Sequence, residues 1–81
     1  MYLGIKQVSA TDDYQLDLVF ENNEHRRFDV KPLLNRGSFS ELNDLSLFKT
    51  AHISFDTVEW NNGLDLDPEY LFFVTKLARD Q

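Results

Sequence analysis

Between Tyr14 and Phe20 apolar side chains fall on every second position, with Gln15 and Asp17 between the first of them. A period of two puts Tyr14, Leu16, Leu18 and Phe20 on one face of a strand and leaves the other face largely to water. Glu21-Asn22-Asn23-Glu24 then supplies turn residues ahead of His25-Arg26-Arg27-Phe28-Asp29-Val30. The two runs predict an antiparallel hairpin turning at Asn22-Asn23. Upstream, Leu3, Ile5 and Val8 precede the turn-prone Thr11-Asp12-Asp13 without clean alternation, so a first, less regular strand completes a three-stranded meander.

Helical spacing follows. Asp29 can cap a short turn through Leu33-Leu34, closed at Asn35-Arg36-Gly37, where glycine tolerates the left-handed backbone of a helix stop. Ser38-Phe39-Ser40-Glu41 matches a capping box, and Phe39, Leu42, Leu45 and Phe48 recur at intervals of three, interrupted by Asn43-Asp44. Two short helical turns are expected rather than one long helix. Farther on, Ile53 and Phe55 hold odd positions while Val58 and Trp60 hold even ones, which a straight strand would place on opposite faces. A tight turn or bulge at Asp56-Thr57 resolves the conflict and predicts a second short hairpin.

Asn61-Asn62-Gly63 is a further turn signal, and Asp67-Pro68-Glu69 sets cap, N1 and N2 residues in their preferred order for a helix reaching about Arg79. On a helical wheel Tyr70, Leu71, Val74, Leu77 and Ala78 share a stripe roughly 120° wide, whereas Phe72 lies roughly 160° from its centre. Phe72 either covers a second cluster within the domain or marks a contact surface for another chain. The pattern as a whole predicts an α+β fold. It comprises an antiparallel β-meander, short helical turns, a second short hairpin that can extend the sheet, and a C-terminal helix packed on the sheet. No linker, repeat or low-complexity tract divides residues 1–81, which read as a single domain.

Composition narrows the chemistry. With 42% apolar and 27% charged residues the chain has the profile of a folded domain, but a chain of 81 residues buries only about 60–65% of its unfolded surface. Nearly every large apolar side chain is then needed for the core, and a catalytic cleft would compete for them. The absence of Cys removes disulfides, thiolate metal sites and thiol nucleophiles. No apolar run approaches the roughly 20 residues needed to span a bilayer, and Met1 to Lys6 lacks a signal-peptide core, so a soluble, cytoplasmic protein is expected.

Eight Lys+Arg against fourteen Asp+Glu give a net charge of −6, which disfavours nucleic acid and favours a basic partner. The charge is concentrated: residues 55–75 hold Asp56, Glu59, Asp65, Asp67 and Glu69 with no Lys or Arg. Asp65 and Asp67 alternate around Leu66 and, with Glu69, could hold a hard divalent cation. The plainer alternative uses Asp67 as a helix cap, Glu69 as a first-turn acid and Asp65 as a turn residue.

Paired carboxylates could also act on a glycosidic bond, but only across a substrate cleft. His25 and His52 carry no metal-ligand spacing, and His25 shares a strand face with Arg27 and Asp29, which reads as a solvated face. Arg26, Arg27, Lys31 and Arg36 are the one basic concentration, yet strand alternation separates Arg26 from Arg27, and the group can instead pair with the acidic C-terminal half. No nucleophile motif, phosphate-cradling loop or metalloprotease motif occurs, and no cofactor is implied.

Thr57-Val58-Glu59-Trp60-Asn61-Asn62-Gly63-Leu64-Asp65-Leu66-Asp67-Pro68-Glu69-Tyr70-Leu71 resembles the W-x-N-G-x-D-[LI]-x-P-E-x-L stretch of a small prokaryotic family, domain of unknown function 2442. The Tyr14 to Phe20 strand, Arg27-Phe28-Asp29 and Phe39-x-x-Leu42 before Phe48 are similar to its pattern as well, so the resemblance covers nearly the whole chain. The short turn at Asp56-Thr57 departs from the longer one usual there.

The resemblance implies a small α+β domain, without the helix-turn-helix segment that some members carry, and transfers no catalytic residue. It also implies a two-gene arrangement similar to toxin–antitoxin modules. The expectation is a non-enzymatic protein-interaction domain whose partner is a small basic protein encoded by a neighbouring gene, with self-association left open. Its contact residues would be Phe72, Asp56, Glu59 and Asp65, while Trp60 and Asn61-Asn62-Gly63 shape the scaffold. The alternative is a small ligand- or divalent-metal-binding domain using Asp65, Asp67 and Glu69.

Overall fold

The computed structural model describes residues 3–77. Strands β1 (Ile5–Ala10), β2 (Gln15–Phe20) and β3 (His25–Asp29) form the expected antiparallel meander. The irregular pattern of β1 has a local cause. Its register slips between Ile5 and Gln7, so Ile5, Val8 and Ala10 all pair with the core-facing residues of β2, namely Phe20, Leu18 and Leu16.

Short 3-10 turns at Lys31–Leu33 and Gly37–Asn43 lead into helix α1 (Leu45–Phe48). Asp44 caps α1 by accepting from the Ser46 amide at 3.0 Å. The expected capping box does not form. Arg36 occupies the cap position without a side-chain bond, and the Glu41 carboxylate accepts from Asn62 Nδ2 at 2.8 Å instead. Asp29 still serves the preceding turn, accepting from the Lys31 amide at 3.0 Å.

Strands β4 (His52–Ser54), β5 (Thr57–Glu59) and β6 (Asp65–Leu66) make a sheet of their own rather than extending the meander. The turn between β4 and β5 is Phe55-Asp56, one residue earlier than expected, because Ser54 pairs with Thr57 and Ile53 with Val58. That register puts Ile53 and Val58 on one face and leaves Phe55 outside the strand.

The C-terminal helix α2 (Pro68–Val74) begins where expected, with Asp67 Oδ2 accepting from the Tyr70 amide at 3.2 Å, but stops well short of Arg79. Thr75 is extended, and β7 (Lys76–Leu77) pairs with Arg26 and Arg27 of β3, giving the first sheet the order β1-β2-β3-β7. Two contacts favour this stop. Nη1 of Arg26 donates to the carbonyls of Phe72 and Thr75 at 3.0 and 2.8 Å, satisfying acceptors that a helix end leaves open, and the edge of β3 offers a ladder to the residues that follow.

Shortening the helix changes its packing face. Pro68, Leu71 and Thr75 are buried and Phe72 is half-buried, a stripe at i, i+3, i+4 and i+7, while Tyr70 and Val74 from the expected stripe are exposed. Ala78 and Arg79 lie outside the described residues. One core cluster runs under both sheets, from Ile5, Leu16, Leu18 and Phe20 to Val58, Trp60 and Leu71. Trp60 is its largest member, 1% exposed, and its indole N–H donates to the Phe48 carbonyl at 2.9 Å.

Candidate functional site

The carboxylates of the acidic window do not converge. Asp67 is the cap of α2, Asp56 sits at the tip of the second hairpin, and Glu69 is exposed in the first turn of α2. Glu59 and Asp65 are register partners across β5 and β6, with His52 opposite Glu59 on β4, its Nε2 3.7 Å from Glu59 Oε1. Among the described residues no three His, Asp or Glu side chains come together as a metal site would require, so Asp65, Asp67 and Glu69 stand apart.

Four of the Lys and Arg side chains are engaged elsewhere. Arg27 pairs with Asp17 at 2.7 Å, Lys31 with Asp29 at 3.1 Å, Lys49 with Asp12, and Arg26 with Glu24 at 2.7 Å. The hydrogen bond that Arg27 Nε donates to the Asp17 carboxylate holds the guanidinium above its ordinary pKa. All four acids precede residue 30, and among the side chains of residues 3–75 no Lys or Arg ion-pairs with the acidic window. Pairing of the basic group with the acidic half, one of its two readings, does not form within the described part of this chain. Arg26 leaves the basic group altogether: its side chain, 13% exposed, turns inward and stacks 3.9 Å from the ring centroid of Phe72.

Phe72 is held within the fold. Its ring meets Phe20, a member of the one core cluster, edge-on at a centroid distance of 5.2 Å, while one edge stays open. The most exposed aromatics among the described residues are its neighbour Phe73, 88% exposed, and Phe55, 96% exposed. Sequence periodicity could not find Phe73, because the helix was expected to run far enough to need a different buried stripe. Phe72 and Phe73 line a cleft of about 470 Å³ with Leu3, Asn22 and Glu69.

The second hairpin docks beside this cleft. The Asp56 carbonyl accepts from the Ile5 amide at 3.2 Å, and the Asp56 side chain lies where a Cβ on Gly4 would stand, within 2.8 Å. The same glycine donates its N–H to Glu21 Oε1 at 3.2 Å. Only a glycine lets strand, loop and hairpin tip approach so closely. Leu3, next in the chain, carries the contact to the cleft wall.

Residues 5–73 match the model of a family described as "Protein of unknown function (DUF2442)". The chain belongs to the DUF2442 family. No curated protein and no solved structure matches it. In this DUF2442 chain most of the motif residues serve the fold. Trp60, Leu66, Pro68 and Leu71 are buried, Asn62 accepts from the Leu64 amide at 3.2 Å, and Gly63 takes a φ of 93°. Asp65 and Glu69 are the motif's exposed carboxylates. His25 lies exposed on the outer face with Arg27 and Asp29, and His52 Nδ1 lies 2.8 Å from the Thr50 carbonyl. Among the described residues no helix is long and apolar enough to cross a membrane.

Proposed function

We propose that this DUF2442 chain is a non-enzymatic, cytoplasmic protein-interaction domain that works as one half of a two-protein module. The observation that carries the reading is Phe73: an aromatic side chain 88% exposed beside a partly apolar cleft on a domain with few large apolar residues to spare. The acidic window, with its Lys and Arg partners absent among the described residues, supports a basic partner. Contact residues under this reading are Phe73 and the open edge of Phe72, with Asp56, Glu59 and Asp65 contributing charge.

The test is co-expression with the product of the neighbouring open reading frame and copurification of the pair. Phe73→Ser and Glu59→Lys should each weaken the complex while leaving the far-ultraviolet spectrum unchanged. Phe72→Ala is a poorer probe, because it also removes the ring beneath Arg26. Absence of any complex at micromolar concentration would sink the reading.

A further inference from the structure

The cleft edge differs from an ordinary apolar depression in the charges placed around it. Glu69 belongs to its wall, Glu21 is one residue from its wall residue Asn22, and both Glu21 and Asp56 lie against Gly4, which adjoins the wall residue Leu3. One carboxylate, Glu69, thus lines a cleft whose apolar wall is Leu3, Phe72 and Phe73, and two more, Glu21 and Asp56, lie against Gly4, the residue that follows its wall residue Leu3. None of the three forms an ion pair with Lys or Arg among the described residues. The cations at this end of the fold are committed otherwise: Arg26, stacked on Phe72, to Glu24 and the end of α2, and Lys6 to the Asn23 side chain.

We propose that this cleft receives an apolar side chain from a basic segment of a partner protein, with Lys or Arg on either side of that anchor meeting Glu69, Glu21 and Asp56. The inference rests on the interaction reading and names the surface and the partner's chemistry. Charge complementarity selects this occupant. A nucleic-acid backbone would bring phosphates against the carboxylates, and a second copy of a chain of charge −6 would set like charges opposite one another. A cleft of about 470 Å³ holds one or two side chains, so affinity depends on a single anchor in an apolar pocket with a charged rim.

The probe is a set of three short peptides of equal length, followed by backbone amide shifts of the labelled protein. The first flanks two central leucines with lysines, the second flanks the same leucines with glutamates, and the third flanks two serines with lysines. The Lys–Leu peptide should shift Leu3, Asn22, Glu69 and Phe73, and the other two should bind at least about tenfold more weakly. Phe73→Ser and Glu69→Lys should each weaken the Lys–Leu peptide by a similar factor.

Equal binding of the Lys–Ser or Glu–Leu peptide overturns the proposal, as do shifts centred elsewhere or none at millimolar peptide. Shifts at the cleft that depend on protein concentration alone would assign it to a second copy. A cleft that responds only to removal of Met1 and Tyr2 would assign it to this chain itself. A complex with the neighbouring gene product that survives both Phe73→Ser and Glu69→Lys would leave the two-protein reading standing and remove this surface from it.

Discussion

The two hairpins are built by the same rule and meet it differently. Between β2 and β3 the loop carries asparagine where the backbone turns left-handed: Asn23 has a φ of 70°, and the Asn22 side chain accepts from the Glu24 amide at 3.0 Å. Its strands are tied by the Arg27–Asp17 pair. Between β4 and β5 both turn residues need positive φ, and the chain supplies Phe55 at 51° and Asp56 at 69°, where Asn-Gly would suit the turn. Phe55 gains no burial in exchange, being 96% exposed. Local preference and global fold agree in the first hairpin and conflict in the second, and conflicts of that kind collect at binding surfaces.

The largest effect that would break this contrast lies at Arg26. Replacing it with Ala strips two carbonyls at the end of α2 of their donor, strands the Glu24 carboxylate and uncovers Phe72. A loss of about 2–4 kcal/mol in denaturant unfolding is expected, since hydrogen bonds to charged groups count for more than neutral ones. In the second sheet Glu59→Gln should change stability by less than about 0.5 kcal/mol, because its 3.7 Å contact to His52 is partly exposed. Similar costs for the two changes would mean that the sheets share one electrostatic character.

Next in size is Gly4→Ala. The added methyl would meet the Asp56 side chain at 2.8 Å and force the hairpin tip off the meander, for a cost of about 1–3 kcal/mol. Double-mutant analysis with Asp56→Gly sharpens the assignment. If the clash is with Asp56, removing that side chain should restore most of the loss, and additive effects would place the strain elsewhere.

How much of this was legible depended on the range of the interactions involved. The β2 and β3 strands, the break at Asn43-Asp44, the left-handed Gly63 and the Asp67 cap are local signals, and each could be read from a few neighbouring residues. The end of α2 could not, because it is set by Arg26, far upstream, and by the open edge of β3. That one tertiary contact moved the packing stripe to Pro68, Leu71, the half-buried Phe72 and Thr75 and left Phe73 as the exposed phenylalanine of α2. The acidic window was visible as composition. That none of its carboxylates ion-pairs with a Lys or Arg among the side chains of residues 3–75 was not, since ion pairing is a property of the folded surface.

Phe55→Asn probes the conflict directly. Asparagine tolerates the left-handed region better than phenylalanine, and the exposed ring gives up almost no packing, so a gain of about 1 kcal/mol is expected in thermal or denaturant unfolding. If the exposed ring belongs to the partner surface, the same variant should weaken the copurifying complex. A stabilised variant that binds unchanged would make Phe55 a tolerated misfit with no role in recognition.

The smallest expected effect is at the turn joining β1 and β2, where a hydrogen bond from the Thr11 hydroxyl holds the Asp13 carboxyl below its ordinary pKa of 3.8. A carboxylate favoured by the fold stabilises it above the unfolded pKa, and that contribution disappears as the pH falls through the lower, folded value. Because Asp13 is fully exposed, the contribution is too small to shift global unfolding visibly, and the readout has to be the carboxyl carbon shift. Thr11→Val should return the inflection toward 3.8. A backbone hydrogen bond at Asp13, then Lys31 and Arg27, also lower the value, though less than Thr11 does, so an inflection unmoved by Thr11→Val would give the effect to that backbone bond and those cations instead.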